Sequence, residues 1–274
     1  MPELPEVETI KCSLERKIIG VTILKTEILL ERIIKMPEIS EFKAKISGRI
    51  IQNITRHGKY LKIHLSGAYV MVIHLRMTGQ LLYMAADEPV ARHTHIIFYL
   101  NNGAQLRYVD IRQFGTLYLL PSAETNKLKG LSRLGLEPVN KEFSREYLKE
   151  KLQSRTKKIK QVLLEQEIIA GLGNIYADEI LFAAKINPHR PANSLATEEV
   201  SLLHAKIVEV IQEAIEHRGT SVQNYIDGNS EKGNYQNFLK VYQREAQNCV
   251  RCDAKIKKEK LAGRGTHFCP ECQK

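Results

Sequence analysis

The chain has 274 residues, 43% hydrophobic and 26% charged, which describes a folded globular protein rather than a disordered one and leaves room for two domains. No apolar run is long enough to span a membrane. Lys and Arg outnumber Asp and Glu by 41 to 31, and the net charge of +10 favours a polyanionic partner. With only 7 Phe, 11 Tyr and no Trp, phosphate contacts rather than base stacking must dominate that grip.

Leu4, Val7, Ile10, Leu14 and Ile18 recur at three- and four-residue spacing and predict a helix over 3–18, stopped by Gly20. The opening MPELPEVET carries glutamates and no apolar block of the secretory type, so a reducing, cytoplasmic compartment is expected. From 21 to 120 the texture becomes short β-rich runs: VTILKTEILL, RIIQNITR, KYLKIHLS, YVMVIHLR, QLLYM, THIIFYL, AQLRYVD and GTLYLL. His57-Gly58, Ser66-Gly67, Thr78-Gly79 and Asn101-Asn102-Gly103 separate them as turns, and the spacing predicts an antiparallel sandwich or barrel. Residues 121–143, with Pro121, Gly130, Gly135 and Pro138, read as a linker.

Beyond it the period is helical. Ser144 is placed to cap REYLKEKL, Leu163 and Leu164 fall in a second helix, and Ile175–Ala184 in a third after Gly171-Leu172-Gly173-Asn174. Thr197-Glu198-Glu199 opens a fourth that runs to His217. Residues 218–238 are polar and Gly-rich and predict a mobile loop. The expected division is 1–133 for a catalytic β-sandwich domain, 134–239 for a helical domain and 240–274 for a metal-stapled C-terminal finger.

The finger rests on Cys249-x2-Cys252, sixteen residues, then Cys269-x2-Cys272, the spacing of a four-thiolate zinc site. The segment between the pairs is too short for a core, so one structural zinc ion must fold it. Lys255, Lys257, Lys258, Lys260 and Arg264 lie on it and suit a DNA backbone; Cys12 stands apart and is not a ligand. Gly171-Leu172-Gly173-Asn174 offers backbone N–H groups to a phosphate, with Asn174 as a possible cap and Arg155, Lys157, Lys158 and Lys160 just upstream. Pro2 follows the initiator Met1. Once Met1 is removed, its α-amine has a pKa near 8 and is about one quarter neutral near pH 7.5, whereas a lysine offers about one part in a thousand. That amine can attack an aldehydic carbon.

Taken together, PELPEVET, RHGKYL, HLRMTG, DIRQFG, LGLEP, AGLGNIYADE and GRGTHFCPECQ, in order along the whole chain, resemble formamidopyrimidine-DNA glycosylase. The resemblance implies a base-excision repair enzyme that removes oxidised purines, such as 8-oxoguanine and formamidopyrimidines, from damaged double-stranded DNA. It then cuts the strand by β,δ-elimination through a Schiff base. It implies an α+β multidomain fold: an N-terminal helix with an antiparallel β-sandwich, a helical helix-two-turn-helix domain and a C-terminal β-hairpin zinc finger. By motif, Pro2 is similar to the family's nucleophile, and Glu3 to its acid/base. Lys59 resembles the lysine supporting β-elimination, and Arg264 the finger arginine of δ-elimination. Asn174, Lys160 and Arg155 fall among basic and polar DNA contacts, and His74 and His93 match DNA-contacting positions. Met77, Arg112 and Phe114 match the side chains that fill the gap left by an extruded nucleotide. A monomer in the bacterial cytoplasm, associated with the nucleoid through DNA and with no membrane, is the expected setting.

The sequence departs from the family's pattern at Arg218-Gly219-Thr220, where Gly-Gly-Thr is usual, at REAQNC before the first cysteine pair, at Asp253-Ala254-Lys255, and at Glu165. Arg218 borders the loop that caps the lesion, so base preference is where it bears. Two other readings stand beside this one. An endonuclease VIII-like enzyme would prefer oxidised pyrimidines, and Leu4 with the Met77, Arg112 and Phe114 set speaks against it. A non-catalytic zinc-finger DNA-binding protein would have no need of Pro2, Glu3 and Lys59.

Overall fold

A computed structural model describes residues 1–221, 227–228 and 230–274. They form two compact units, Met1–Ser132 with His217–Asn234, and Arg133–Glu216 with Tyr235–Lys274. The expected mobile loop at 218–238 falls partly outside the described residues, at 222–226 and 229.

The first unit opens with helix α1 (Leu4–Ile18). Its start is a capping box: the Glu3 side chain accepts from the Glu6 backbone, and the Glu6 carboxylate accepts from the Glu3 N–H at 2.7 Å. The apolar stripe that predicted this helix, Leu4, Val7, Ile10, Leu14 and Ile18, is entirely buried. Nine strands follow: β1 (Thr22–Ile28), β2 (Ile34–Met36), β3 (Arg49–His57), β4 (Tyr60–Leu65), β5 (Tyr69–His74), β6 (Gly79–Ala85), β7 (Thr94–Leu100), β8 (Ala104–Asp110) and β9 (Thr116–Pro121). Their order is β2-β9-β5-β4-β3-β1-β7-β8-β6, antiparallel except for β2 on β9. β1 and β3 meet only at Thr22↔Ile50 and Ile23↔Arg49. At this short seam the two halves turn to share one core. Ile51, Ile63, Ile73 and Leu117 from one half meet Ile23, Ile96, Phe98 and Leu106 from the other, with Val7, Ile10 and Leu14 of α1 among them.

The strand runs read from the sequence are all present. Two elements between them were not legible, β2 and helix α2 (Ile39–Ile46). α2 buries Phe42 and Ile46 with Ile39 packed beside them, a helical stripe confined to eight residues and so too short to read as a period. The stretch read as a linker holds a 3-10 turn at Ser122–Lys127 and a short helix α3 (Lys129–Ser132), with the boundary between units directly after it.

The second unit contains α4 (Arg145–Gln153), α5 (Ile159–Leu163), α6 (Asn174–Ala183), α7 (Thr197–Glu216) and the hairpin β10 (Lys257–Leu261) with β11 (Arg264–Phe268). Ser144 caps α4, its Oγ accepting from Tyr147 N at 3.1 Å. Asn174 is not the cap of α6. Gly173 takes that position with no side-chain bond, and Asn174 is the first helical residue. The helical domain is expected through residue 239; of the described residues there, 217–221, 227–228 and 230–234 group with the first unit, where Glu6 of α1 accepts from Thr220 N at 2.7 Å. Among the described residues, no helix is long and apolar enough to cross a membrane.

Candidate active site and zinc centre

In the first unit, Pro2 and Glu3 are both buried. One carboxylate fixes them: Glu6 accepts from Glu3 N through Oε2 and from Thr220 N through Oε1, each at 2.7 Å. Gly219, at φ +74°, lies against it; a Cβ there would stand 2.6 Å from Glu6 Oε1. A second link runs from Glu8 to Arg56 at 2.7 Å, and the same guanidinium donates to Gly58 O at 3.0 Å. Gly58 and Lys59 form the two-residue turn between β3 and β4, with φ +57° at Gly58. Burial pushes the Glu8 carboxyl up, but Arg56 and then Lys11 outweigh it and hold it below the usual range. α1 is thereby fastened to the turn that carries Lys59, itself almost wholly buried.

His74, paired with Tyr60 across β4 and β5, lies edge-on to that ring at 4.6 Å. Its Nδ1 accepts from Arg76 N at 3.0 Å. Burial first, then the cations of Arg76 and Lys59, lower its pKa to about 3, so the ring is neutral and Nε2 carries the proton as a donor. His93 is half-buried in the turn before β7. Met77 and Phe114 are 41% and 53% exposed, and the Arg112 guanidinium sits 4.9 Å from the Phe114 ring centroid. Arg218 adopts φ +62°, a conformation that suits the glycine usual in the family, and ion-pairs with Asp227 and Glu231.

In the second unit, Arg264 is exposed, directly after a two-residue turn of Ala262 and Gly263, both at positive φ. The carbonyl of Gly265 accepts from Lys160 Nζ at 3.0 Å and from Asn174 Nδ2 at 2.9 Å. Lys160 is fully buried, 2.6 Å from Asp178, and donates also to Thr266 Oγ1 at 2.9 Å. The expectation that Lys160 grips DNA directly is therefore corrected. A cation with no exposed surface reaches no phosphate, and this one fixes the hairpin beside Arg264. Asn174, half-buried, holds the same carbonyl. Arg155 is exposed between α4 and α5, its carbonyl held by Asn193 N at 3.0 Å.

The sequence reading did not single out Asp178 and Glu179. Asp178 accepts from His267 N at 2.9 Å, and Glu179 accepts from Lys240, Val241 and Tyr242 N at 2.8–2.9 Å. Both carboxylates of the AGLGNIYADE motif thus tie α6 to the finger and the segment leading into it. Acidic residues in an otherwise buried helix were the available signal.

The four sulfurs of Cys249, Cys252, Cys269 and Cys272 all lie within 4.8 Å of one another, with pairs at 3.9 and 3.5 Å. A tetrahedral zinc thiolate site requires sulfurs about 3.8 Å apart, so the donor set fits zinc in both chemistry and spacing. Desolvation, then hydrogen bonds from the other three sulfurs, push the Cys272 thiol up to about 12, and a bound dication reverses that. The core around the site is small: Phe182, Val241, Ile256, Cys249 and Cys269.

Residues 1–117 match the family model of the formamidopyrimidine-DNA glycosylase N-terminal domain. Residues 134–225 match its H2TH domain, and 247–274 match the zinc finger found in FPG and IleRS. The chain belongs to the formamidopyrimidine-DNA glycosylase family. The member from Pelotomaculum thermopropionicum is 51% identical over 274 residues, 100% of this chain and 99% of that protein. The one from Brevibacillus brevis is 45% identical over 275 residues, 100% of this chain and 99% of that protein. Among solved structures, a Lactococcus lactis FPG mutant with DNA containing Fapy-dG superimposes with a TM-score of 0.94 at 40% identity, covering 99% of each chain. The Lactococcus lactis Fpg with DNA containing an abasic site gives 0.93 at 41%, also over 99% of each. In this family the zinc finger is structural: four thiolates close the coordination sphere and leave no position for a substrate.

Metal analysis of fresh, active protein is expected to give one zinc per chain. Chelation should abolish DNA binding while circular dichroism keeps most of its helix and strand signal, since both units have cores outside the finger; less than half an equivalent of zinc would contradict the site. His74 makes a separate prediction. Its folded pKa lies below the unfolded value of 6.5, so the unfolded chain binds the extra proton and stability is lost as pH falls below about 6.5 towards 3. Between pH 7 and 5 the loss is on the order of 1–2 kcal/mol. Denaturant melts of His74→Gln should show a shallower acid slope than the parent, and identical slopes would refute the neutral buried ring.

Proposed function

We infer that this chain is a bifunctional DNA glycosylase and AP lyase that excises oxidised purines from duplex DNA and nicks the strand at the emptied sugar. The observation that carries the reading is the held N-terminus: Pro2 directly before a capping box in which Glu3 and Glu6 brace each other. After Met1 is removed, the Pro2 amine attacks C1′ of the damaged nucleotide. The bond from C1′ to the base breaks, and its electron pair leaves with the base, which takes a proton. Glu3 supplies a proton to the ring oxygen as the sugar opens, giving an iminium between Pro2 and C1′. Loss of a C2′ proton then expels the 3′ phosphate, and a second elimination expels the 5′ phosphate. Lys59 serves the eliminations from its turn beside α1, and Arg264 holds phosphate from the finger tip. Neutral His74, His93, Arg155 and Asn174 add DNA contacts, and Met77, Arg112 and Phe114 fill the gap left by the extruded nucleotide.

Leu4 and the complete gap-filling set favour purine over pyrimidine lesions. The reading takes the protein as a monomer acting on DNA in the bacterial cytoplasm.

Glu3→Gln keeps the amine and removes the acid. Excision of 8-oxoguanine should fall by about 10²–10⁴-fold. Strand cleavage at a preformed abasic site, whose sugar is already partly the open aldehyde, should fall far less. Equal losses on the two duplexes would overturn the acid role, and faster cleavage of thymine glycol than of 8-oxoguanine by the parent would overturn the purine assignment.

A further inference from the structure

The two loops that display Met77, Arg112 and Phe114 share one buried anchor. The β5–β6 connection carries Met77 and the β8–β9 connection carries Arg112 and Phe114. Between them sits Asp110, with no exposed surface. Its Oδ1 accepts from the Thr78 hydroxyl and from Arg112 N at 3.2 Å. Its Oδ2 accepts from Gly115 N at 2.9 Å and from the Tyr108 hydroxyl at 3.3 Å. Thr78 Oγ1 also accepts from Arg112 N at 2.9 Å, so the loops are joined to each other as well as to the carboxylate. The Asp110 backbone is held in turn, its N–H by His93 O at 3.0 Å and its carbonyl by His95 Nε2 at 2.8 Å.

Packing enforces the same arrangement. A Cβ on Gly115 would fall 1.5 Å from the Tyr108 hydroxyl, and one on Gly79 would fall 2.6 Å from it and 2.5 Å from Leu75 O. Gly115 leaves room for that phenol, and Gly79 for both it and the Leu75 carbonyl. Arg76 and Gln113, each directly before a displayed apolar residue, have φ +55° and +57°. Non-glycine residues persist in that region only where their surroundings over-determine them. Large apolar side chains are thus held out in water on a base whose polar groups are satisfied from within.

We infer that Asp110 is a positioning residue for nucleotide extrusion: through Thr78, Arg112 and Gly115 it presets both loops so that Met77, Arg112 and Phe114 enter the base stack as one unit. This rests on the reading that those three side chains fill the vacated space. Asp110 is buried and acts only through the groups it holds. The ordering cost of two loops is met on folding rather than while the duplex is open, so the carboxylate should matter for extrusion and not for the sugar chemistry.

The test is a double-mutant cycle between Asp110→Asn and Phe114→Ala. Single-turnover excision of 8-oxoguanine opposite cytosine is compared with strand cleavage at a preformed abasic site. Asp110→Asn keeps the shape but turns an amide N–H₂ towards backbone or hydroxyl donors. It should slow excision about tenfold or more and abasic cleavage by less than about twofold. The double variant should be no more than about twofold slower at excision than the worse single. Additive losses, or equal slowing on both substrates by Asp110→Asn, overturn the inference alone. A Phe114→Ala protein that loses nothing at excision overturns the gap-filling reading and the inference with it. Thermal melting monitors folding, and if Asp110→Asn does not fold, Thr78→Ala replaces it in the cycle with the same expected selectivity and the same overturning outcomes.

Discussion

A backbone amine can be a nucleophile at only one place in a chain, its first residue, and chain ends fray unless something holds them. In this protein the Glu6 carboxylate holds the backbone directly behind Pro2. It is almost fully buried, a costly position for a charge that lacks hydrogen bonds. It receives Glu3 N on one oxygen and Thr220 N on the other, each at 2.7 Å. Without it, two backbone donors more than 200 residues apart would lose their acceptor together. The arrangement demands Gly219 at a left-handed φ, because any side chain would strike Glu6. It demands a helix directly behind Glu3, and the buried stripe from Leu4 to Ile18 seats that helix in the sandwich core. Arg56 completes it by joining Glu8 to the turn of Lys59. In the first unit, the helix seated by that apolar stripe is therefore the one whose first turn holds Glu3, directly behind Pro2.

The second unit solves a different problem, holding one exposed arginine on a hairpin with hardly any core. Two constraints meet there. Four thiolates staple the base of the finger, and a buried pair, Lys160 with Asp178, pins the backbone just beyond Arg264. A buried ion pair seldom adds net stability over an apolar pair; here the Lys160 ammonium also pins the Gly265 carbonyl at 3.0 Å. The Gly265 carbonyl, accepting from both Lys160 and Asn174, anchors the strand directly after Arg264.

Local features were legible in the sequence, and partnerships across it were not. α1 and the strand runs have periods that need no distant information, and two CxxC pairs carry their own geometry. α2 is only eight residues long, and its inward stripe of Ile39, Phe42 and Ile46 is too short to stand out between strand runs. Lys160 sits in a run with Arg155, Lys157 and Lys158, where a solvated basic strip is the natural reading. Only its approach to Asp178, eighteen positions on and on another helix, shows it to be internal. Asn174 looks like a cap by position, yet its amide reaches the finger. In DIRQFG the arginine and phenylalanine draw attention, while the aspartate that organises them is visible only once both loops are in place. The catalytic assignments came from the family resemblance over the whole chain; spacing alone would have left Pro2 an ordinary second residue.

The most direct test of the account is to locate the covalent bond. The protein, with Met1 removed, is incubated with a duplex containing an abasic site and reduced with borohydride; the trapped complex is then digested and the modified peptide identified by mass spectrometry. The reduced sugar is expected on the nitrogen of Pro2, in the peptide that begins the chain. A modification on Lys59 instead, with Pro2 unmodified, would contradict it and remove the reason for holding the chain's end so firmly.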